Sequence, residues 1–143
     1  MDRNEIQDTL QSIARDAIAE ARKLDVAQAE AGVSYDEGLT VTVRLGELES
    51  VERQRDRGLA VTVYRDGRKG SASTADFSIR SIKETVAKAV SIARFTAQDP
   101  YAGLADPELM ASDPPDLDLY HPWDVDVETA SDIALRSEEA ARA

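Results

Sequence analysis

The sequence predicts an α+β fold, and three observations lead to this prediction. Apolar residues recur at three- and four-residue steps in two segments and at two-residue steps in the segment between them. Turn-forming residues divide that middle segment into an antiparallel meander of about five strands. An acidic stretch that holds all five prolines, at residues 99–126, precedes a third helical pattern.

The first helix is predicted over about residues 4–24. One apolar stripe runs along it, formed by Ile6, Leu10, Ile13, Ala14, Ala17, Ala21 and Leu24. Charged residues fall mostly off this stripe, as expected of a helix that buries one face.

Apolar and polar residues alternate in the middle segment over about 27–35, 39–45 and 59–64, whereas Leu48 and Val51 are three apart and break the alternation. Turns are predicted at 36–38 (Asp-Glu-Gly), 56–58 (Asp-Arg-Gly) and 66–67 (Asp-Gly), and a bulge or bend at Gly46. Asp-Gly between two strand-like runs favours a two-residue type I′ hairpin, because both central residues need positive φ. The alternation predicts a half-buried sheet.

A second helix is predicted to begin after Ser78, which can act as its N-cap, with Phe77 packing back on Ile82. It is expected to end before Asp99-Pro100, because proline disfavours a helical residue before it. Each of the two long helices has one apolar stripe to bury. We therefore expect both to pack on one face of the sheet.

The charge divides the chain at about residue 98. Residues 1–98 hold 16 acids and 15 bases, whereas residues 99–143 hold 12 acids and 2 bases of the total net charge of −11. We predict an α+β domain over 1–98, followed by an acidic, proline-containing connector and the start of a further helix over 99–143, capped by Asp126. Apolar residues of the connector, including Trp123, are expected to pin it to the domain surface. The last helical pattern has no stop signal, which suggests a truncated chain.

The composition limits the kinds of catalytic and metal-binding site that the chain can form. The chain has one histidine, His121, and no cysteine, so a histidine pair or a thiolate site for zinc is not available. We predict no catalytic, cofactor-binding or metal-ligating residue in this chain. Its acidic third would be repelled by phosphate backbones and anionic membranes, so neither nucleic acid nor membrane is an expected partner. No signal peptide is recognised, and a cytoplasmic location is expected.

The strand after the predicted hairpin is the one candidate site. It is short, small and polar, which is typical of an edge strand that another backbone can approach. The candidate residues for peptide contact are Arg68, Lys69, Gly70, Ser71, Ala72 and Ser73. The alternative is an ordinary edge that is protected by charge or covered by another domain.

Six segments resemble the TldD/PmbA family, within it the PmbA/TldE type also called modulator of DNA gyrase. They are GELE followed by VE (46–52), GLAVTVY (58–64), RKGSAS (68–73), IARFT (92–96), DPYAGLAD (99–106) and PDLDLYHP (115–122). Together they cover about residues 35–125, and the last is the most specific.

The resemblance implies the N-terminal domain of a longer cytoplasmic protein in a metallopeptidase system. In that family the TldD-type subunit carries the zinc motif His-Glu-x-x-x-His, whereas the PmbA/TldE type lacks it. The expected function is therefore an accessory domain in a heterodimer that matures or degrades unfolded peptides, with zinc in the TldD-type partner. An adaptor that binds a folded protein such as DNA gyrase is the alternative.

Overall fold

The computed structural model describes residues 3–111 and 113–143 and has the predicted α+β class. In chain order its elements are α1 (Arg3–Ala21), β1 (Gln28–Arg44), β2 (Glu47–Arg65), β3 (Arg68–Thr74), α2 (Ile79–Phe95), a 3₁₀ turn (Pro107–Leu109) and α3 (Val127–Arg142). The strands form one sheet in the order β1-β2-β3. None of the helices in the described ranges is long and apolar enough to cross a membrane.

Two compact units share these elements. Unit 1 comprises Met1–Tyr35 and Asp56–Met110, and unit 2 comprises Asp36–Arg55 and Ala111–Ala143. Unit 1 thus contains both long helices and β3, whereas unit 2 contains the hairpin that joins β1 to β2, together with α3. Every fully buried apolar side chain among the described residues belongs to unit 1.

The prediction of about five strands was wrong, because two predicted turns lie inside strands. Residues 36–38 belong to β1 and residues 56–58 to β2, so the described part of the chain has three strands. These turn-like residues are mostly exposed, so their polar side chains do not oppose an extended backbone. Arg55 on β2 donates to Glu37 on β1 at 2.9 Å, and this ion pair joins the two strands beside a predicted turn.

The reversal between β1 and β2 lies at Leu45 and Gly46, where a bulge or bend was predicted. Both residues have positive φ, at 56° and 82°, which gives a tight two-residue turn of the kind found in hairpins. Positive φ is unfavourable for leucine. In compensation, the carboxylate of Glu138 accepts hydrogen bonds from the backbone N–H groups of Leu45 (2.6 Å) and Gly46 (2.7 Å), all within unit 2.

The core of unit 1 lies between the two long helices and one face of the sheet. Leu59, Val61 and Val63 supply the strand side of this core, as their two-residue spacing predicts. The helical members are Ile13, Ala17, Ala21, Ile82, Val86, Ala89, Val90 and Ala93. The helix residues that face the sheet are often alanine, which allows the helix backbones to come close to it.

The closest approach is at Gly70 in β3, where α2 crosses the strand. A Cβ at Gly70 would lie 2.1 Å from the carbonyl oxygen of Ala89 and 2.5 Å from the nitrogen of Ala93. Both atoms are helix backbone, which cannot move aside as a flexible side chain can. Gly70 is therefore required by packing, since glycine alone leaves room for the helix.

Three local predictions are confirmed. Asp66 and Gly67 have positive φ, at 49° and 67°, as a type I′ turn requires. Ser78 is the N-cap of α2 and accepts from the N–H of Ser81, and Asp126 is the N-cap of α3 and accepts from the N–H of Thr129. Each of these signals depends on residues within three positions, so local sequence was sufficient.

Several large apolar side chains of the acidic connector are exposed. Trp123 is 70% exposed, Leu119 is 81% exposed and Tyr101 is 93% exposed. The expectation that Trp123 and its neighbours pin the connector to a surface was therefore wrong for these residues. The many carboxylates of the connector favour hydration over burial, which explains the difference.

Replacing Gly70 with alanine should lower the free energy of unfolding by about 2–3 kcal/mol, because the added methyl group overlaps the backbone of α2. Gly32→Ala is the matched control, since a Cβ there meets no atom within 4 Å. Urea unfolding followed by circular dichroism measures both. Equal effects of the two substitutions would contradict the proposed contact.

Acid should weaken the junction between β3 and α2. Asp76 accepts hydrogen bonds from the N–H (2.9 Å) and hydroxyl (3.0 Å) of Ser78. Both hydrogen bonds hold the pKa of Asp76 below its usual range, and the bond from the backbone N–H has the larger effect. A lowered pKa in the folded state adds stability that is present above the unfolded-state pKa and is lost as the pH falls below about 4.

Asp76→Asn should therefore flatten the acid limb of stability against pH, measured by urea unfolding between neutral pH and pH 3. A variant whose acid limb has the same slope as that of the unchanged chain would show that Asp76 does not contribute.

Candidate functional site

The predicted candidate strand is β3, and it lies at one edge of the sheet. It pairs antiparallel with β2 through a register that runs from Arg65 opposite Arg68 to Leu59 opposite Thr74. No strand among residues 3–111 and 113–143 lies on its other side. The structure therefore brings the six candidate residues 68–73 together in one edge strand.

The backbone groups of three residues point away from β2. Residues that flank a two-residue turn form a hydrogen-bonded pair, and such pairs alternate along an antiparallel ladder. Arg65 and Arg68 are the flanking pair here. The N–H and C=O groups of Lys69, Ser71 and Ser73 are then directed outward. We call these groups the β3 edge.

On the face away from the core, the side chains of Lys69 and Ser71 contact side chains of β2. The hydroxyl groups of Ser71 and Thr62 lie 3.0 Å apart, and the ammonium of Lys69 lies 5.8 Å from the ring centre of Tyr64. The buried Tyr64 donates its hydroxyl to Glu30 at 3.2 Å. Burial first, and then the charge of Glu30, raise the pKa of Tyr64. The raised pKa keeps Tyr64 uncharged, and its ring lies beneath the ammonium of Lys69.

The side chain of Arg68 lies at the C-terminal end of α2. It donates to the carbonyl oxygen of Thr96 at 2.7 Å and, at 3.4 Å, to that of Arg94. A cation at this position satisfies carbonyls that the helix leaves unpaired and opposes the helix dipole. Arg68 therefore attaches β3 to α2, a role that depends on a distant helix end and that we did not predict from sequence.

A shallow cavity of about 330 Å³ lies at the start of the β3 edge, within unit 1. Tyr64, Gly67 and Lys69 form one side of it. The other side is formed by Thr96, Ala97, Asp99, Tyr101, Ala102 and Gly103. The N–H of Asp99 donates to the carbonyl of Gly67 at 2.6 Å, which holds this loop against the hairpin turn. The proline after Asp99 marked the helix end, but no sequence signal placed the loop here.

The residues that the structure describes do not form a recognisable metal centre. No group of three or more histidine, aspartate or glutamate side chains is arranged to hold an ion in the described ranges. His121 is exposed, and its Nε2 lies 4.0 Å from the carboxylate of Asp118. Zinc requires about four close ligands, and this pair does not supply them.

Comparison with known proteins shows which family the chain resembles. Residues 29–93, which include all of β3 and most of α2, match the family model described as PmbA/TldA metallopeptidase domain 1. The Metalloprotease PmbA of Escherichia coli O157:H7 is 50% identical over 113 residues, which are 79% of this chain and 25% of that protein. The chain thus spans about a quarter of the length of the curated relatives it matches.

Two solved structures share the fold. TldE from Thermococcus kodakarensis matches 92% of this chain and 28% of its own, with a TM-score of 0.62 at 17% identity. A candidate modulator of DNA gyrase from Bacteroides thetaiotaomicron matches 73% of this chain and 24% of its own, with a TM-score of 0.56 at 24% identity. The family model and the curated relatives show that the chain belongs to the PmbA/TldD metallopeptidase family and corresponds to its N-terminal domain.

Proposed function

We propose that this chain is the N-terminal accessory domain of the metal-motif-lacking subunit in a cytoplasmic TldD/TldE-type peptidase. Its partners would be the remainder of its own full-length chain and a TldD-type subunit that carries the zinc. The heterodimer would mature or degrade unfolded peptides. Within it, this domain would bind substrate and leave the chemistry to its partner.

The observation that carries this proposal is the outward-facing β3 edge. A peptidase that accepts varied unfolded peptides needs contacts that do not depend on sequence, and every peptide offers the same N–H and C=O groups. Lys69, Ser71 and Ser73 offer the complementary backbone groups along one line. Their exposed positions leave that line open to a second strand.

The residue inventory supports a binding role in preference to a catalytic one. The chain has a single histidine, which is exposed, and no cysteine. The carboxylates are abundant, but the pKa of Asp76 and that of Asp126 are lowered by hydrogen bonds at helix N-termini, and these are structural positions. The zinc of the proposed heterodimer is therefore assigned to the TldD-type subunit.

An adaptor that binds a folded protein is the competing function, and the name of the Bacteroides relative is what favours it. The two functions differ in the ligand. The accessory domain should bind unfolded peptide through the β3 edge, whereas the adaptor should bind a folded partner such as DNA gyrase. Pulldown with each type of ligand separates them.

The 143-residue chain by itself should cleave no peptide and should retain no stoichiometric zinc, because it lacks a His₂ or Cys-based ligand set. Elemental analysis after dialysis against a zinc buffer, with a peptide-cleavage assay, makes the test. Retention of about one zinc per chain would overturn this part of the proposal.

Ser71→Pro in the full-length subunit should reduce peptide processing by the assembled pair about tenfold or more, because it removes one outward backbone donor. Ser71→Ala is the matched control: it also loses the hydroxyl contact with Thr62 but keeps the N–H. Circular dichroism verifies that both variants fold. Unchanged processing by a folded Ser71→Pro subunit would rule out substrate binding at this edge.

A further inference from the structure

The turn that joins β1 to β2 has two backbone donors that the sheet does not use. In a two-residue turn the flanking residues form the hydrogen-bonded pair, so the N–H groups of the two central residues have no partner in the ladder. The central residues here are Leu45 and Gly46, between the end of β1 at Arg44 and the start of β2 at Glu47. Adjacent N–H groups in a turn form a concavity that binds anions.

One carboxylate of α3 accepts from both donors. Leu45 donates to Oε1 of Glu138 at 2.6 Å, and Gly46 donates to Oε2 at 2.7 Å, so the contact is bidentate. Hydrogen bonds to an ionised acceptor are shorter and stronger than those between neutral groups. We call this contact between Glu138 and the Leu45-Gly46 turn the Glu138 latch.

The half-buried face of α3 ends at the latch. Half-buried residues recur along this helix at steps of three and four, as expected of a single face. They are Val127, Ala130, Ser131, Ala134, Leu135 and Glu138. Because Glu138 contacts the turn, this face is the one directed toward the hairpin.

Unit 2 has little apolar burial to hold it together. None of its described residues is fully buried, and those of α3 are at most half-buried. A helix of 16 residues is marginally stable by itself in water, and so is an isolated two-stranded hairpin. The hairpin and α3 therefore stabilise one another, and the Glu138 latch is a specific polar contact between them.

Water has access to this contact. A cavity of about 1000 Å³ lies beside it, and its lining includes Gly46 and the charged side chains of Arg136, Glu139 and Arg142. Segments with few buried apolar contacts and solvent-accessible hydrogen bonds open locally at a lower free energy than a buried core does. The latch is thus able to break and form again while the core of unit 1 stays closed.

We infer that unit 2 opens and closes as one unit, that the Glu138 latch holds it closed, and that unit 1 remains folded throughout. Leu45 has a positive φ in the closed state, which is unfavourable for leucine. Breaking the latch removes the contact that compensates for this conformation, so the turn and α3 are released together. This conformational change does not depend on the proposed function.

Hydrogen exchange measured by mass spectrometry tests the inference in the 143-residue chain and in the full-length subunit. The amides of residues 40–50 and of α3 should exchange together and faster than those of 59–63 in the core of unit 1. Glu138→Gln should speed exchange of both segments about tenfold and leave 59–63 unchanged, because an amide has one acceptor oxygen where the carboxylate has two. Glu139→Gln, with the same loss of charge at the next position, is the matched control and should change neither segment.

A second substitution tests the link between the turn and the latch. Leu45→Gly in the Glu138→Gln chain should slow exchange of both segments again, because glycine adopts positive φ without the cost that leucine has. Three results overturn the inference: Glu138→Gln leaves both segments unchanged in either protein, it speeds 59–63 by the same factor, or it affects only one of the two segments. Failure of Leu45→Gly to slow exchange overturns it as well.

Discussion

The close crossing of α2 over Gly70 determines the arrangement of unit 1. The helix backbone occupies the space in which any other residue would carry its Cβ, so α2 lies directly on the edge strand. The helices α1 and α2 share one core with β2. The candidate site thus depends on a contact between a glycine and a helix backbone, in which no polar or charged side chain takes part.

Local signals predicted the parts of the fold that local interactions determine. The Asp66-Gly67 turn and the caps at Ser78 and Asp126 follow from residues at most three positions apart. The number of strands does not follow from such signals. The Leu45-Gly46 turn is completed by Glu138, which is distant in sequence. The extended backbone at 36–38 has a cross-strand ion pair from Arg55 beside it. A glycine next to acidic residues therefore does not by itself mark a turn, because pairing with a neighbouring strand can hold the same residues extended.

The same distinction applies to the proposed site and the helix beside it. The small polar sequence of residues 68–73 was sufficient to predict an edge strand, because strand burial requires apolar side chains. The exposure of Ile92 was not predictable, since it depends on which flank of α2 faces α1. The sequence pattern placed Ile79, Ile82, Val86 and Ala89 on one stripe but gave no direction for the residues beside it. Arg68 likewise has its role only through the position of the helix end.

Backbone pairing and apolar contact have different consequences for a peptide-binding site. Each hydrogen bond to the backbone adds about 1 kcal/mol whatever the peptide sequence, so pairing at Lys69, Ser71 and Ser73 would raise affinity for all extended peptides alike. Burial of an apolar side chain adds about 1.5–3 kcal/mol, but only for peptides that carry one at the right position. The proposed edge would therefore bind a broad range of extended peptides. Such breadth suits a subunit that receives unfolded segments, because the free backbone N–H and C=O groups are what all such segments have in common.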